Sequence, residues 1–284
     1  MQYHAPDSFD QAVSLLSDAT GVTRVLAGGT DVLVQLRSGM VEPAMIVDIK
    51  RIPGVYDIAR ENGGWRIGAA VPGAALKEHP DLHKDWPGVV EAVDLIGSTQ
   101  VQGRATLTGN LCNCSPAADS VPAMIAAGAI AAVTGPNGSR DVKAEDIATG
   151  PGKSSLAKGE VVTSIFLPER GANGGDAYLR FIPRTEMDIA VVGAAVSMTL
   201  DGDKIASARV SLGAVGPTAM LVAEAADAII GTTLDDAALE ALGKAASAAA
   251  TPISDKRGTV EFRTHVSGVL AKRAAKIAYE RAKG

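Results

Sequence analysis

The chain has 284 residues, 46% hydrophobic and 21% charged, with 31 glycines but only four Phe, two Trp and four Tyr. Such a hydrophobic fraction excludes a disordered chain, and the length corresponds to about two average domains. A net charge of −5 offers no general attraction to phosphate polymers, and so few aromatics make no base-stacking platform, so nucleic acid is not an expected partner.

Ser8 is placed to cap a helix beginning at Phe9, whose apolar residues Val13, Leu15 and Leu16 lie to one side. Thr23–Leu26 reads as a strand that stops at Gly28-Gly29, and a helix follows from Thr30-Asp31 through Arg37. Residues 46–49 form a short buried strand halted near Pro53-Gly54, and residues 65–70 alternate like a strand beside solvent. Helical spacing returns over 88–96, a glycine- and threonine-rich segment runs to Asn110, and another helix covers 121–127. Residues 131–133 and Val142 flank a hairpin turn at Asn137-Gly138, and Val161–Leu167 is a strand ended by Pro168.

Residues 170–175 have linker composition, which predicts a boundary within 169–176. Beyond it, strands over 189–200 and 205–214 enclose the turn Asp201-Gly202-Asp203. Helices are predicted over 219–230, 236–250 and 259–282, the last of them basic. Strands followed by helices point to a separate α+β domain.

Cys112 and Cys114 are too few for a disulfide framework or a four-ligand zinc site. The single residue between them departs from the two-residue spacing of a redox pair. His79 and His83 flank Pro80 in what reads as a surface turn, so no metal site is expected. No basic start followed by an apolar run opens the chain, and no apolar stretch reaches the ~20 residues of a bilayer span. The expectation is a cytoplasmic protein without a membrane span.

Chemistry concentrates in two loops. In Leu26-Ala27-Gly28-Gly29-Thr30-Asp31, two glycines after a strand allow positive φ and close approach of bare backbone to a ligand. Free N–H groups at the start of the next helix favour an anion there, although a plain strand-turn-helix connection also uses such glycines. The second loop, from Arg104 to Asp119, is dense in small hydroxyl and amide groups. Asp119 can cap the following helix or accept a ligand hydroxyl. Neither the spaced glycines of a dinucleotide fingerprint nor a Gly-Lys-Ser/Thr loop is present.

Together, LAGGTDVLVQLRSG and IGSTQVQGRATLTGNLCNCSPAADSVPAMIAAGA, with the tail SDKRGTVEFRTHVSGVLAKRA, resemble the FAD-binding medium subunit of the molybdenum hydroxylases. That group includes carbon monoxide dehydrogenase, xanthine dehydrogenase and aldehyde oxidoreductase. The resemblance spans nearly the whole chain. It implies an α+β protein: a two-subdomain FAD-binding domain (PCMH/VAO-like) over 1–172, divided at about residue 55, then a C-terminal α+β domain over 173–284 with a small antiparallel sheet and helices. It implies FAD as cofactor, with Val25, Leu26, Ala27, Gly28, Gly29, Thr30, Asp31 and Val32 around the pyrophosphate. Thr106, Thr108, Gly109 and Asn110 form the second phosphate-facing loop, Asp119 meets the sugar or ribityl region, and Val162 and Arg180 lie beside the isoalloxazine. Implied partners are a large molybdenum-cofactor subunit and a small two-iron, two-sulfur subunit, with NAD or another acceptor taking the electrons. A self-sufficient FAD oxidoreductase and a flavin-free assembly subunit stand as alternatives. No catalytic side chain is expected, because a flavin carries its own redox chemistry. The chain departs from the family pattern at Thr108, where glycine is usual, at Arg180, where lysine is common, and at Cys114, where alanine is common.

Overall fold

The computed structural model describes residues 1–284. The first subdomain contains β1 (Gln2–His4), α1 (Phe9–Asp18), β2 (Thr23–Leu26), α2 (Val32–Arg37) and β3 (Met45–Asp48). Its three strands form a parallel sheet in the order β1-β3-β2. Ser8 Oγ accepts from the Gln11 N–H at 3.2 Å, which satisfies an orphan donor of α1. Ala12, Val13 and Leu16 on the inner face of α1 pack with Val47 and Ile49.

The second subdomain opens with β4 (Ile58–Glu61) and β5 (Gly64–Gly68). Six short helices follow: α3 (Gly73–Glu78), α4 (Pro80–Asp85), α5 (Pro87–Asp94), α6 (Thr99–Gln102), α7 (Leu107–Cys112) and α8 (Ser120–Ala126). The hairpin β6 (Ile130–Gly135) and β7 (Gly138–Lys143), the pair β8 (Ala148–Gly150) and β9 (Lys153–Ser154), and β10 (Val161–Leu167) complete it. The main sheet is antiparallel in the order β4-β5-β10-β6-β7. Within residues 65–70 only Arg66 borders solvent. β5 lies between β4 and β10, Trp65 and Ile67 enter the core, and Ala69 and Ala70 pack against the first subdomain. Pro80 is the first residue of α4; His79 Nδ1 accepts from the Leu82 N–H at 3.2 Å, and its ring meets Trp65 edge-on.

The third unit contains β11 (Gly174–Phe181), β12 (Val192–Asp201), β13 (Lys204–Gly213), β14 (Met220–Leu221), α9 (Ala223–Asp227), α10 (Asp236–Ala249) and α11 (Val260–Lys283). Its strands form an antiparallel sheet in that order, with α10 and α11 packed against it. Two segments differ from the sequence pattern. Gly174 and Gly175 are not linker: they open β11, which pairs with β12 from Gly174↔Thr199 to Phe181↔Val192. The helix expected over 219–230 shrinks to α9, because Met220 and Leu221 pair with Leu212 and Ser211 at the sheet edge.

Arginines fasten this unit to the second subdomain. Arg281 on α11 binds the Glu91 carboxylate and, at 2.8 Å, the Asp176 carbonyl. Arg170 binds Asp176 Oδ1 at 2.6 Å, and Arg209 donates twice to the Ile125 carbonyl. Burial pushes the Asp176 carboxyl up to about 6, against the pull of Arg170 and Arg281. The basic face of α11 is thus partly used within the chain, since Lys272 also pairs with Glu240. No helix is long and apolar enough to cross a membrane.

Candidate functional site

A cavity of about 690 Å³ lies where the two subdomains meet, within the range of small-molecule and cofactor sites. One wall is the β2–α2 loop, contributing Val25, Ala27, Gly28, Gly29, Thr30, Asp31 and Val32. A second is α7 with its approach, contributing Thr106, Thr108, Gly109 and Asn110. Val162 on β10 lies in a third. These are residues that the resemblance places around the cofactor.

The two loops touch. A Cβ on Gly28 would lie 2.7 Å from the Arg104 carbonyl carbon and 3.2 Å from Ala105 Cα, so only glycine lets the two backbones approach this closely. Gly29 has φ +79°, a left-handed conformation that other residues adopt at a cost. As a result, the backbone N–H groups of Gly28, Gly29, Thr30 and Asp31 donate to no acceptor in the protein; neither do those of Leu107 and Thr108. Thr106 Oγ1 accepts from the Gly109 N–H at 2.8 Å and caps α7. Asn110 Oδ1 accepts from the Ser120 N–H at 3.0 Å and from its hydroxyl at 2.7 Å. Gln35 Nε2 donates to Asn113 Oδ1 at 3.1 Å, tying α2 to the segment after α7.

Three anticipated residues lie off the cavity wall. Leu26 is buried at the end of β2. Asp119 and Arg180 are bound to each other: Arg180 Nη1 donates to Asp119 Oδ2 at 3.0 Å and to the Leu95 carbonyl at 2.7 Å. The Arg180 side chain is only 3% exposed. Asp119 makes no side-chain capping bond to α8. Its other oxygen faces the Tyr178 hydroxyl at 3.5 Å, and burial pushes its carboxyl up to about 6 despite Arg180. This pair stands behind the wall, next in sequence to the cavity residue Ile96 through Leu95.

The sequence did not signal a further wall formed by Gly152, Ser154, Leu156, Ala157, Lys158 and Gly159, or the residues Leu16 and Arg24. Arg24 donates one N–H to the Thr23 carbonyl at 3.2 Å, and neither Arg24 nor Lys158 has an acidic partner. Asp31 lines the cavity with no hydrogen bond to its side chain, and burial raises its carboxyl above the usual range. Cys112, half-buried, also lines the cavity, and desolvation pushes its thiol up to about 12. Cys114 is buried, and burial pushes its thiol up to about 11.

The arrangement is a set of backbone donors around a half-open cavity, with no nucleophile–base pair. It suits an acceptor-rich ligand. Two family models match the chain: the FAD-binding domain in molybdopterin dehydrogenase over residues 1–170, and the CO dehydrogenase flavoprotein C-terminal domain over residues 177–278. The chain belongs to this flavoprotein family. The carbon monoxide dehydrogenase medium chain of Afipia carboxidovorans is 34% identical over 281 residues, covering 99% of this chain and 97% of that one. The xanthine dehydrogenase FAD-binding subunit of Escherichia coli O157:H7 is 31% identical over 284 residues, with coverages of 99% and 97%. Among solved structures, CO dehydrogenase from Oligotropha carboxidovorans matches with a TM-score of 0.95 at 33% identity, covering 99% and 98% of the two chains. Quinoline 2-oxidoreductase from Pseudomonas putida 86 matches at 0.91 and 26%, covering 100% and 98%. This flavoprotein family member has FAD as its cofactor and an oxidoreductase role.

Proposed function

We propose that this chain is the electron-relay subunit of a three-component molybdenum hydroxylase, receiving electrons from the two-iron, two-sulfur clusters of a small subunit. A large molybdenum-cofactor subunit oxidises the substrate, and electrons leave this chain to NAD or another acceptor. The observation that carries this reading is the cavity itself, walled by unpaired backbone donors and containing no acid–base or nucleophilic pair. FAD bound there supplies two-electron acceptance with onward transfer of single electrons or a hydride. In this reading the β2–α2 loop and the start of α7 hold the diphosphate through N–H groups, and Val162 and Ile96 pack against the rings. Asp119 and Arg180 fix the wall behind Ile96, and the assembly works in the cytoplasm. With two cysteines in the whole chain, cluster ligands come from a partner.

The test is co-expression with candidate large and small subunits, followed by purification through a tag on this chain. The expected product is a yellow-brown complex of three chains that releases FAD on denaturation, and whose flavin is reduced only when the cluster subunit is present. Flavin reduction by substrate in this chain alone would replace the reading with the self-sufficient enzyme.

Arg24 and Lys158 give a second test. Both bear uncompensated positive charge on the cavity wall of an acidic chain. Arg24→Gln and Lys158→Gln are each expected to weaken FAD binding about two- to fivefold at low salt, and by less at 1 M NaCl, where the Debye length falls to ~3 Å. Fluorescence titration at the two salt concentrations measures this; equal affinities for wild type and variants at low salt would remove both residues from the site.

A further inference from the structure

Thr108 carries a hydroxyl that nothing in the protein uses. The residue is 6% exposed, its Oγ1 has no hydrogen-bond partner, and it lies on the cavity wall. Buried polar atoms without partners are uncommon, because leaving water without a replacement bond is costly. Its neighbours are already engaged: the Thr106 hydroxyl caps α7 and Asn110 Oδ1 holds Ser120. The backbone N–H groups of Leu107 and Thr108 are unpaired beside it, as are those of Gly28 through Asp31 in the same cavity. The uncommitted N–H groups of these two segments are all donors. A ligand group that meets them is rich in acceptors, as a diphosphate is.

We propose that the Thr108 hydroxyl is a donor to a phosphate oxygen of the bound dinucleotide, reached by a χ1 rotation that carries Oγ1 into another staggered position. This rests on the FAD reading above. The side chain has staggered alternatives at χ1, and the same rotation brings either the methyl or the hydroxyl into the place of the Cβ hydrogen. The donor added by the hydroxyl compensates for the bulk that a side chain brings to this loop. Without ligand the hydroxyl is a buried liability; with ligand it makes a charge-assisted bond.

This sets two opposite effects on one substitution. In the full chain freed of flavin, Thr108→Val keeps the shape and removes the orphaned hydroxyl, so the thermal midpoint is expected to hold or rise. FAD affinity, read by quenching of flavin fluorescence, is expected to fall about tenfold. Thr108→Ser, which keeps the hydroxyl, is expected to stay within about twofold of wild type. ADP, used as a competitor of FAD, is expected to lose affinity by the same factor as FAD in Thr108→Val. Undiminished FAD affinity in Thr108→Val overturns the proposal, and so does a midpoint that falls in step with affinity, since packing would then explain both. A loss for FAD but none for ADP overturns the phosphate assignment. If Thr108→Val does not fold, Thr108→Ala carries the same affinity comparison. A wild-type chain that binds no FAD at all defeats the FAD reading itself, an outcome separate from these.

Discussion

Gly28→Ala is expected to yield a folded but loosened protein that no longer retains FAD. The added Cβ would meet the Arg104 carbonyl carbon at 2.7 Å, the oxygen closer still, and Ala105 Cα at 3.2 Å. These are backbone atoms, so no side chain can turn aside, and the two loops must part. Overpacking of this kind costs about 1–3 kcal/mol. Binding suffers more than stability, because the unpaired N–H groups of the two loops can share one ligand only while the loops touch. A loss of at least about tenfold in affinity, roughly 1.4 kcal/mol, is the expected minimum. Gly103→Ala is the control: it precedes the same contact by one residue, yet its Cβ would meet only the Gln100 carbonyl, at an ordinary 3.5 Å. Flavin content after gel filtration and the urea midpoint of each variant measure both effects. Gly28→Ala retaining FAD as tightly as Gly103→Ala would mean that the loop contact does not hold the donors in place.

The same glycine marks where sequence reasoning works and where it stops. A glycine pair after a β-branched strand announces a backbone device, and the cavity indeed lies there. The device differs from the one first implied, however: bare backbone at Gly28 is needed by the Arg104 carbonyl from the other loop, and ligand-facing donors are the by-product. Elements with strong local patterns were legible, among them Val161–Leu167, the hairpin around Gly202 and the capped helices α1 and α11. Elements that exist only through a distant partner were not. β1 has three residues and depends on β3, more than forty positions away. Gly174 and Gly175 have the composition of a linker and become strand because β12 is beside them. The pairing of Asp119 with Arg180 joins residues 61 apart, and no spacing rule reveals it. Residues 152–159 reach the cavity only because β10 returns to the centre of the sheet, so their place on its wall had no local signature.

Arg180→Met is expected to destabilise the chain by about 3–5 kcal/mol at pH 8 and by distinctly less at pH 6. Arg180 is the cation bound to Asp119, and both side chains are almost fully buried. Burial already pushes the Asp119 carboxyl up to about 6, and Arg180 is the main influence holding it down. Without that cation the folded-state value rises further, while the unfolded value stays near ~3.9. An acid whose folded value exceeds its unfolded one holds more protons when folded, so its contribution to stability falls as pH rises between the two values. In the wild type this fall spans about pH 4 to 6 and is complete above it. In Arg180→Met it continues beyond 6: at pH 6 the carboxyl is protonated and tolerable, and by pH 8 the fold must bury an unpaired anion or break open around it. Urea midpoints of the flavin-free chain at pH 6 and pH 8 give the comparison, with Arg180→Met/Asp119→Asn as the variant in which the pH dependence disappears. An equal loss at both pH values would mean that the guanidinium contributes through packing and its bond to the Leu95 carbonyl (2.7 Å), rather than by neutralising Asp119. Because Leu95 adjoins Ile96 on the cavity wall, the outcome also decides how that wall is held: by a charge that a proton can replace, or by the shape of an arginine that it cannot.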